Sequence, residues 1–310
     1  MEKQIQHNNP RHNYGKLILK GFCMGAADIV PGVSGGTMAF ILGIYKELVE
    51  SISSFDAKFI KLILQMKIKD AMEHFSWRFL AAIGIGILIA ILSCAKVLEW
   101  LLQNRPAFIW SFFFGLIVAS VFIVGRGLEK WSLSTLIAAL LGGFFTFFLV
   151  GMIPAKTPDT WWFLFFSGAI AICAMILPGI SGAFILVLIG KYHYILSAVN
   201  NRDLLTLFLV LAGAGAGLLT FVHILKWLFS KYNDLTLAIL TGFLVGSLRK
   251  IWPWKSTVHT IPDTGADLAA TVQINIMPSS WNAEFMMTIL LILAGFLMVF
   301  SMDYLTGKKR

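Results

Sequence analysis

The chain has 310 residues, of which 58% are hydrophobic and 13% are charged. Soluble domains carry about 25% charged residues, and several apolar stretches here reach the roughly 20 residues that a helix needs to cross a bilayer. The composition excludes an ordinary soluble domain and predicts an all-α polytopic membrane protein. Basic cytoplasmic loops account for the net charge of +9, so no nucleic-acid partner is predicted. The three cysteines show no CxxC spacing and no clustered histidines, which predicts no metal site and no cofactor.

The first apolar segment, residues 17–52, follows a polar N-terminus at residues 1–16 that shows no signal peptide. The segment is interrupted by Val30-Pro31-Gly32-Val33-Ser34-Gly35-Gly36-Thr37. Neither half is long enough to cross a bilayer, and both ends are rich in lysine. Because basic residues accumulate on the cytoplasmic side, we predict a re-entrant hairpin that enters and leaves on that side. Residues 53–76 place apolar residues among lysines and predict an amphipathic helix at the interface.

Three membrane spans are predicted after this hairpin, and a second hairpin with three more spans completes the chain. The first three spans are 78–102, 106–125 and 133–153; the second hairpin is 161–198, and its spans are 205–229, 235–252 and 285–305. The basic tail, residues 306–310, is placed in the cytoplasm together with the N-terminus. The loop 253–283 is rich in proline and serine, and we expect it to be irregular and external.

The two hairpins repeat one sequence pattern. Leu177-Pro178-Gly179-Ile180-Ser181-Gly182-Ala183 follows the first motif at an offset of 147 positions, and further glycine, alanine and tyrosine residues recur at the same offset. We therefore predict two repeats, residues 17–153 and residues 161–305. Because each repeat contains an odd number of spans, the second must be inverted relative to the first. Inverted repeats with broken helices place a substrate site near the membrane midplane, between the two halves.

A helix that breaks inside a membrane leaves backbone N–H groups that need partners. These groups lie at the positive N-terminal end of a half-helix, and the glycines allow a ligand close to the backbone, so a phosphate or carboxylate is the predicted ligand. The predicted phosphate-binding residues are Ser34, Gly35, Gly36, Thr37, Ser181 and Gly182. The predicted loop-forming residues are Pro31, Gly32, Pro178 and Gly179. The alternative is a pair of Pro-Gly kinks packed tightly against neighbouring helices.

Six ionisable residues near these segments are candidates for proton coupling or for contact with a lipid headgroup. They are Asp28, Lys46, Glu47, Lys191, His223 and Arg249. Asp28 is either a protonatable coupling residue or a cap that accepts N–H bonds from the loop, and Met175 replaces it in the second copy. Arg249 and the adjacent Lys250 lie near a predicted external end, where they either meet an anionic headgroup or extend to the interface. The same two interpretations apply to His223.

The first hairpin resembles the PopT-type polyprenyl-phosphate transporters, a family of bacterial membrane proteins. The resemblance covers nearly the whole chain and is carried by Gly25-Ala26-Ala27-Asp28-Ile29-Val30-Pro31-Gly32-Val33-Ser34-Gly35-Gly36-Thr37, followed by Gly43-Ile44-Tyr45. It implies a carrier, and not an enzyme, that returns undecaprenyl phosphate from the outer to the inner leaflet of the bacterial cytoplasmic membrane. The implied partners are this lipid and the bilayer, and a homodimer stays open.

Three other functions stay open at this point. Integral-membrane undecaprenyl-diphosphate phosphatases resemble this chain in a Pro-Gly-x-Ser motif on re-entrant hairpins, but an arginine and a serine follow theirs, where Gly35 and Gly36 stand here. Without that arginine, a developing phosphoryl charge lacks a clamp. An intramembrane serine protease would need a base beside Ser34, for which His223 is the candidate. A carrier of small soluble anions is the third alternative.

Overall fold

The computed structural model describes residues 13–30, 32–260, 270–278 and 281–307, and the described chain is mostly helical. The predictions made for residues 1–12, Pro31, 261–269 and 308–310 lie outside the described residues. The first half forms α1 (Tyr14–Ile29), α2 (Gly35–Ile41), α3 (Tyr45–Ser53), α4 (Ala57–Leu64), α5 (Ile68–His74), α6 (Trp77–Asn104), α7 (Pro106–Gly125) and α8 (Leu133–Leu149). The second half forms α9 (Trp161–Ile176), α10 (Gly182–Leu188), α11 (Tyr192–Asn200), α12 (Leu204–Lys231), α13 (Asn233–Ser247), β1 (Lys255–Thr260), β2 (Ala270–Asn275) and α14 (Ala283–Gly307).

Four of the described helices are long and apolar enough to cross a membrane: α6, α7, α12 and residues 283–302 of α14. The pair α10 and α11, which is bent by 105°, is a candidate for a fifth span or a re-entrant loop. The apolar helices α8 and α13 contain 17 and 15 residues. At about 1.5 Å per residue each is shorter than a hydrocarbon core of roughly 30 Å. The chain is therefore a helical, multi-pass membrane protein.

The two halves contain helices of equal length in the same order. α1, α2, α3 and α6 have 16, 7, 9 and 28 residues, and α9, α10, α11 and α12 have the same four lengths. Their packing also corresponds, since α1 lies along α6 and α9 lies along α12. The last helix of each half packs on a helix of the other half: α8 packs on α13, and α14 packs on α7. These two pairs are thus exchanged between the halves.

Glycines allow these four helix pairs to approach closely. A side chain on any of them would meet the backbone of the partner helix. They include Gly21 and Gly86 in α1–α6, Gly168 and Gly213 in α9–α12, Gly142 and Gly242 in α8–α13, and Gly115 and Gly295 in α7–α14. In a membrane, where lipid tails are as apolar as leucine, close contact of this kind drives helix association.

The best-buried apolar side chains surround the first broken helix and the helices behind it. Val30, Val33, Leu116, Leu244 and Ile251 are each at most 2% exposed. Leu116 lies on α7 and Leu244 on α13, and these two helices also contact each other. The first loop is thus held in the centre of the protein.

Three predicted elements differ from the structure. Residues 53–76 form two short helices, because Met66 adopts a left-handed φ of 58° between α4 and α5. The segment predicted to be irregular and external is not irregular throughout, since β1 and β2 pair antiparallel with Lys255 opposite Asn275. The returning arms of both hairpins are not single helices, because each bends again between its two short helices.

Candidate functional site

Each broken helix turns at glycines in the left-handed backbone region. Gly32 has a φ of 91° and Gly179 a φ of 87°, at the two Pro-Gly positions. A second left-handed glycine, Gly43 in one half and Gly190 in the other, has a φ of 67° at both places. Because side chains are disfavoured at these angles, the four glycines determine where each arm bends.

The two loops contact each other directly through hydrogen bonds. The Ser34 hydroxyl of the first loop donates to the Met175 carbonyl oxygen at 2.8 Å. The Gly179 N–H of the second loop donates to the Thr37 hydroxyl oxygen at 2.8 Å. A side chain on Gly36 would collide with the Ile176 carbonyl, so this glycine lets α2 approach the end of α9. The two loops therefore lie together, and their joint role as one binding site stays a prediction.

The first loop satisfies the N–H groups of Gly35 and Gly36 within the protein. Asp28 Oδ1 accepts the Gly35 N–H at 2.6 Å, and Ser34 Oγ accepts the Gly36 N–H at 3.1 Å as the N-cap of α2. The space that a Gly35 side chain would fill is occupied by the Asp28 carboxylate. Ser34 and Thr37 are at most 1% exposed. In this conformation Asp28 caps the loop, and its coupling role stays a prediction.

The second loop leaves its polar groups available. Ser181 is half-buried and makes no capping hydrogen bond at the start of α10. The first three N–H groups of α10, at Gly182, Ala183 and Phe184, have no partner among the described residues. Ala183 is exposed, whereas its counterpart Gly36 is buried. The second loop is therefore the part of the site with donors free for a ligand.

A lysine from outside both hairpins lies across the two loops. The aliphatic part of Lys250, just after α13, packs where a side chain on Gly32 would begin. Its ammonium lies 4.6 Å from the centre of the Phe184 ring on α10. The Lys250 side chain is half-buried. No ion pair with Lys250 is found within the part of the chain that the structure describes, so a desolvated cation faces the open loop.

A second lysine, Lys255, adjoins this cation at the start of β1. Its ammonium donates to the Lys250 carbonyl oxygen at 2.5 Å and lies 4.1 Å from the centre of the Trp110 ring. Burial, together with the charge of Lys250, lowers the pKa of Lys255 to about 7. Sequence reasoning missed Lys255 as a site residue. The available signal was that both lysines lie on the predicted external side, against the positive-inside rule.

Comparison with known proteins identifies the family. Residues 24–268 match the undecaprenyl phosphate translocase-like family. The chain belongs to this family. It is 42% identical to a polyprenyl-phosphate transporter of Vibrio cholerae, over 96% of this chain and 98% of that protein. It is 32% identical to a polyprenyl-phosphate transporter of Staphylococcus aureus, over 76% of this chain and 85% of that protein. No solved structure matches the chain.

Within this translocase-like chain, Lys191 and Lys46 have partners away from the loops. Lys191 is buried, and its ammonium bonds to the Thr157 carbonyl oxygen at 2.8 Å and pairs with Asp159. Lys46 donates to Asn233 Oδ1 at 2.7 Å. Glu47 lies in the first turn of α3. Lys191 therefore anchors the loop before α9, and its availability to a headgroup is not supported by this geometry.

Two further predicted residues lie near the ends of helices. His223 is exposed on α12, and its Nδ1 lies 2.6 Å from the Leu219 carbonyl oxygen. Arg249 Nη1 donates to the Phe147 carbonyl oxygen at 2.9 Å. Because Ser34 donates to a carbonyl of α9 and His223 to its own helix, no serine–histidine pair is formed. The geometry gives the protease alternative no support.

Proposed function

We propose that this protein moves undecaprenyl phosphate from the outer to the inner leaflet of the bacterial cytoplasmic membrane. The observation that carries the proposal is the open second loop, where Ser181 makes no capping bond and the first three N–H groups of α10 have no partner among the described residues, while the Lys250 ammonium lies against the Phe184 ring of the same helix. Hydroxyl, backbone N–H and ammonium donors together suit a lipid phosphate. The family and its two named relatives give the class of substrate.

We propose further that the chain consists of two inverted repeats, residues 17–153 and 161–305. The equal helix lengths, the four left-handed glycines at one offset and the exchanged pairs α8–α13 and α7–α14 support this arrangement. With both termini in the cytoplasm, the two broken helices enter from opposite sides. The phosphate site then lies between the repeats, where inverted-repeat transporters bind their substrates.

In the proposed mechanism the second loop receives the phosphate and the first loop acts as the clamp. The hydrogen bonds from Ser34 to Met175 and from Gly179 to Thr37 hold the present conformation. When the repeats rock against each other, these two bonds exchange for bonds to the phosphate. Ser34 and Thr37 then become phosphate contacts along with Ser181, as the sequence predicts. Alternating access of this kind needs two states of similar energy, which a small number of exchanged hydrogen bonds provides.

A flipping assay in proteoliposomes tests this function. The protein is reconstituted, and the transfer of a fluorescent polyprenyl phosphate between leaflets is timed. We expect Ser181→Ala to slow transfer by about tenfold, because a hydrogen bond to a charged group contributes roughly 1.5–3 kcal/mol. Ser93→Ala is the matched control, since Ser93 is exposed on α6 and bonds to its own helix. Equal transfer by the intact protein and by empty vesicles would refute the proposal.

The same proteoliposomes distinguish this function from the two alternatives, a phosphatase and an ion carrier. Release of inorganic phosphate from a polyprenyl diphosphate would assign a phosphatase instead of a carrier. Uptake of a small soluble anion without any lipid transfer would assign an ion carrier. We expect neither, because the described residues near the loops include no arginine that contacts them, and the loops adjoin a cation that suits a phosphate monoester.

A further inference from the structure

An apolar groove runs between α7, α8 and α13. Its volume is about 930 Å³. We call it the α8 groove, since one stripe of α8 forms its length. That stripe consists of Leu136, Ala139, Leu140, Gly143, Phe144 and Phe147. The spacing of these residues is that of one helix face, so the groove follows α8 for about 16 Å, or roughly half of a hydrocarbon core.

Glycine backbone forms the floor of the α8 groove, and aromatic side chains form its walls. Gly143, Gly242 and Gly246 form the floor, where α8 and α13 approach too closely for side chains on most positions. Phe122 and Phe144 form the walls, and both rings are exposed on the surface. The result is a channel with a rigid backbone floor that is open along its side to the surrounding lipid.

Each end of the groove carries an arginine. Arg126, at the end of α7, lines one end, and its guanidinium lies 5.5 Å from the centre of the Phe300 ring. Arg249 is at the other end, where its guanidinium lies 4.4 Å from the centre of the Phe147 ring that lines the groove. An apolar channel with a cation at both ends complements a molecule that has one anionic end and a long apolar tail.

We infer that the α8 groove binds the isoprenoid tail of the transported lipid, with the phosphate end at Arg249 on one side of the membrane and at Arg126 on the other. The inference rests on the proposed function and adds the path of the tail. Arg249 directly precedes Lys250, which crosses the two loops, so the Arg249 end of the groove adjoins the phosphate site. A tail held beside α13 keeps its contacts with protein and lipid while the headgroup moves.

The charges decide between this occupant and the others. A second copy of the chain would have to present an apolar ridge ending in anionic groups. An anionic phospholipid shares the phosphate and the apolar tail, so competition by phosphatidylglycerol must distinguish it. The arginine at each end and the phosphate class of the relatives favour the polyprenyl phosphate.

Filling the groove tests the inference. Gly143 is the suitable position, because a Cβ there would lie 3.4 Å from the Gly242 carbonyl oxygen, an ordinary contact. Gly143→Phe therefore places a phenyl ring in the groove, and its unfolding temperature in detergent checks that α8 and α13 stay packed. Leu141→Phe is the matched control, since Leu141 is an exposed α8 residue outside the groove. We expect Gly143→Phe to slow transfer of fluorescent undecaprenyl phosphate by about tenfold or more, and Leu141→Phe to stay within about twofold.

A lipid phosphate with a short tail tests binding at the phosphate site independently of the α8 groove. Geranyl phosphate, titrated calorimetrically into purified protein, should bind Gly143→Phe as it binds the unsubstituted protein, because its tail is too short to need the groove. Unchanged transfer by Gly143→Phe would overturn the groove while leaving the proposed function standing. Failure of the unsubstituted protein to move the lipid would overturn both.

Two further outcomes would overturn the choice of occupant. If phosphatidylglycerol competes with undecaprenyl phosphate as well as undecaprenyl phosphate itself does, the groove holds any acyl chain. If Gly143→Phe converts a dimer to a monomer in detergent, as measured by light scattering, the groove is an interface between two copies. A tail-specific loss of transfer, with oligomeric state and geranyl phosphate binding unchanged, would support the inference.

Discussion

The two loops share a Pro-Gly-x-Ser-Gly pattern but differ in what their polar groups contact. In the first loop, Gly35 N–H is bound by Asp28, and Ser34 donates to the second loop. In the second loop, Ser181 and the first N–H groups of α10 have no such partners among the described residues. The two copies therefore present different groups, and this difference is what the proposed division between a clamping first loop and a phosphate-binding second loop requires.

The sequence difference that causes this division is small. Asp28 corresponds to Met175, Gly36 to Ala183 and Thr37 to Phe184 at the offset of 147. The first copy thus brings its own acceptors, and its glycine allows α2 to reach α9. The second copy has apolar side chains at the same places, which supply no acceptor. Its unpaired donors are costly unless a ligand binds them, because unsatisfied polar groups in a membrane cost several kcal/mol.

The largest effect is expected from breaking the close contact of the first loop. Gly36→Ala would push a methyl group into the Ile176 carbonyl, whereas Ala183 already occupies the same position of the second loop. We expect the free energy of unfolding to fall by about 3 kcal/mol. Thermal unfolding in detergent measures it. Gly215→Ala is the control, since no atom lies within 4 Å of its added Cβ, and it should be neutral or stabilising. Equal unfolding temperatures would show that the loops do not meet as described.

The next effect concerns the cation of the open loop. Lys250→Gln should weaken the binding of geranyl phosphate by about tenfold, because a charge-assisted hydrogen bond contributes roughly 1.5–3 kcal/mol. Lys96→Gln removes an exposed lysine of α6 and serves as the charge control. Titration at two salt concentrations checks the cause, since the loss should shrink as salt screens the pair. An equal loss of geranyl phosphate binding in Lys96→Gln would show that Lys250 acts only through the overall charge of the protein.

A third comparison separates the first loop, which is the proposed clamp, from the second loop, which is proposed to bind the phosphate. Thr37→Val leaves the buried Gly179 N–H without its acceptor, which should lower the free energy of unfolding by about 1–3 kcal/mol. Thr241→Val is the matched control, because that buried hydroxyl donates to its own helix and leaves no orphaned N–H. Ser181→Ala should change the unfolding temperature little and the transfer rate strongly. Destabilisation by Ser181→Ala as large as that by Thr37→Val would contradict the division between the loops.

Much of the helical architecture could be predicted from local sequence, because helix ends carry local signals. The helix Pro106–Gly125 begins at the proline and ends before the arginine that the sequence marks. The second bend of each hairpin was missed, although Gly43 and Gly190 recur at the same offset as the first. A single glycine in an apolar helix does not by itself indicate a left-handed φ. The strands β1 and β2 were missed because their segment is dense in turn residues.

The contacts of the site could not be predicted for a different reason. Ser34 meets the carbonyl of Met175 and Thr37 meets the N–H of Gly179, more than a hundred residues away along the chain. A repeat predicts that two loops correspond, but not which backbone groups they exchange. The sequence therefore predicts two corresponding loops that differ at Asp28 and Met175, and the packing of α2 against α9 decides which backbone groups they exchange.

The smallest expected effect links the open loop to pH through Lys255. Its pKa is lowered to about 7 in the folded protein by burial and by Lys250, against an ordinary value of 10.5. Between these two values the unfolded chain binds more protons than the folded one, so stability rises with pH above about 7 and is flat below it. From pH 7 to 8.5 we expect a gain of roughly 1–2 kcal/mol in the unsubstituted protein relative to Lys255→Met. Unfolding temperatures across this range measure the difference, and parallel curves would contradict it.

Added geranyl phosphate should flatten the dependence of stability on pH, because an anion at the second loop stabilises the charged Lys255 and raises its pKa. If the first loop bound the phosphate instead, the dependence of stability on pH would stay unchanged.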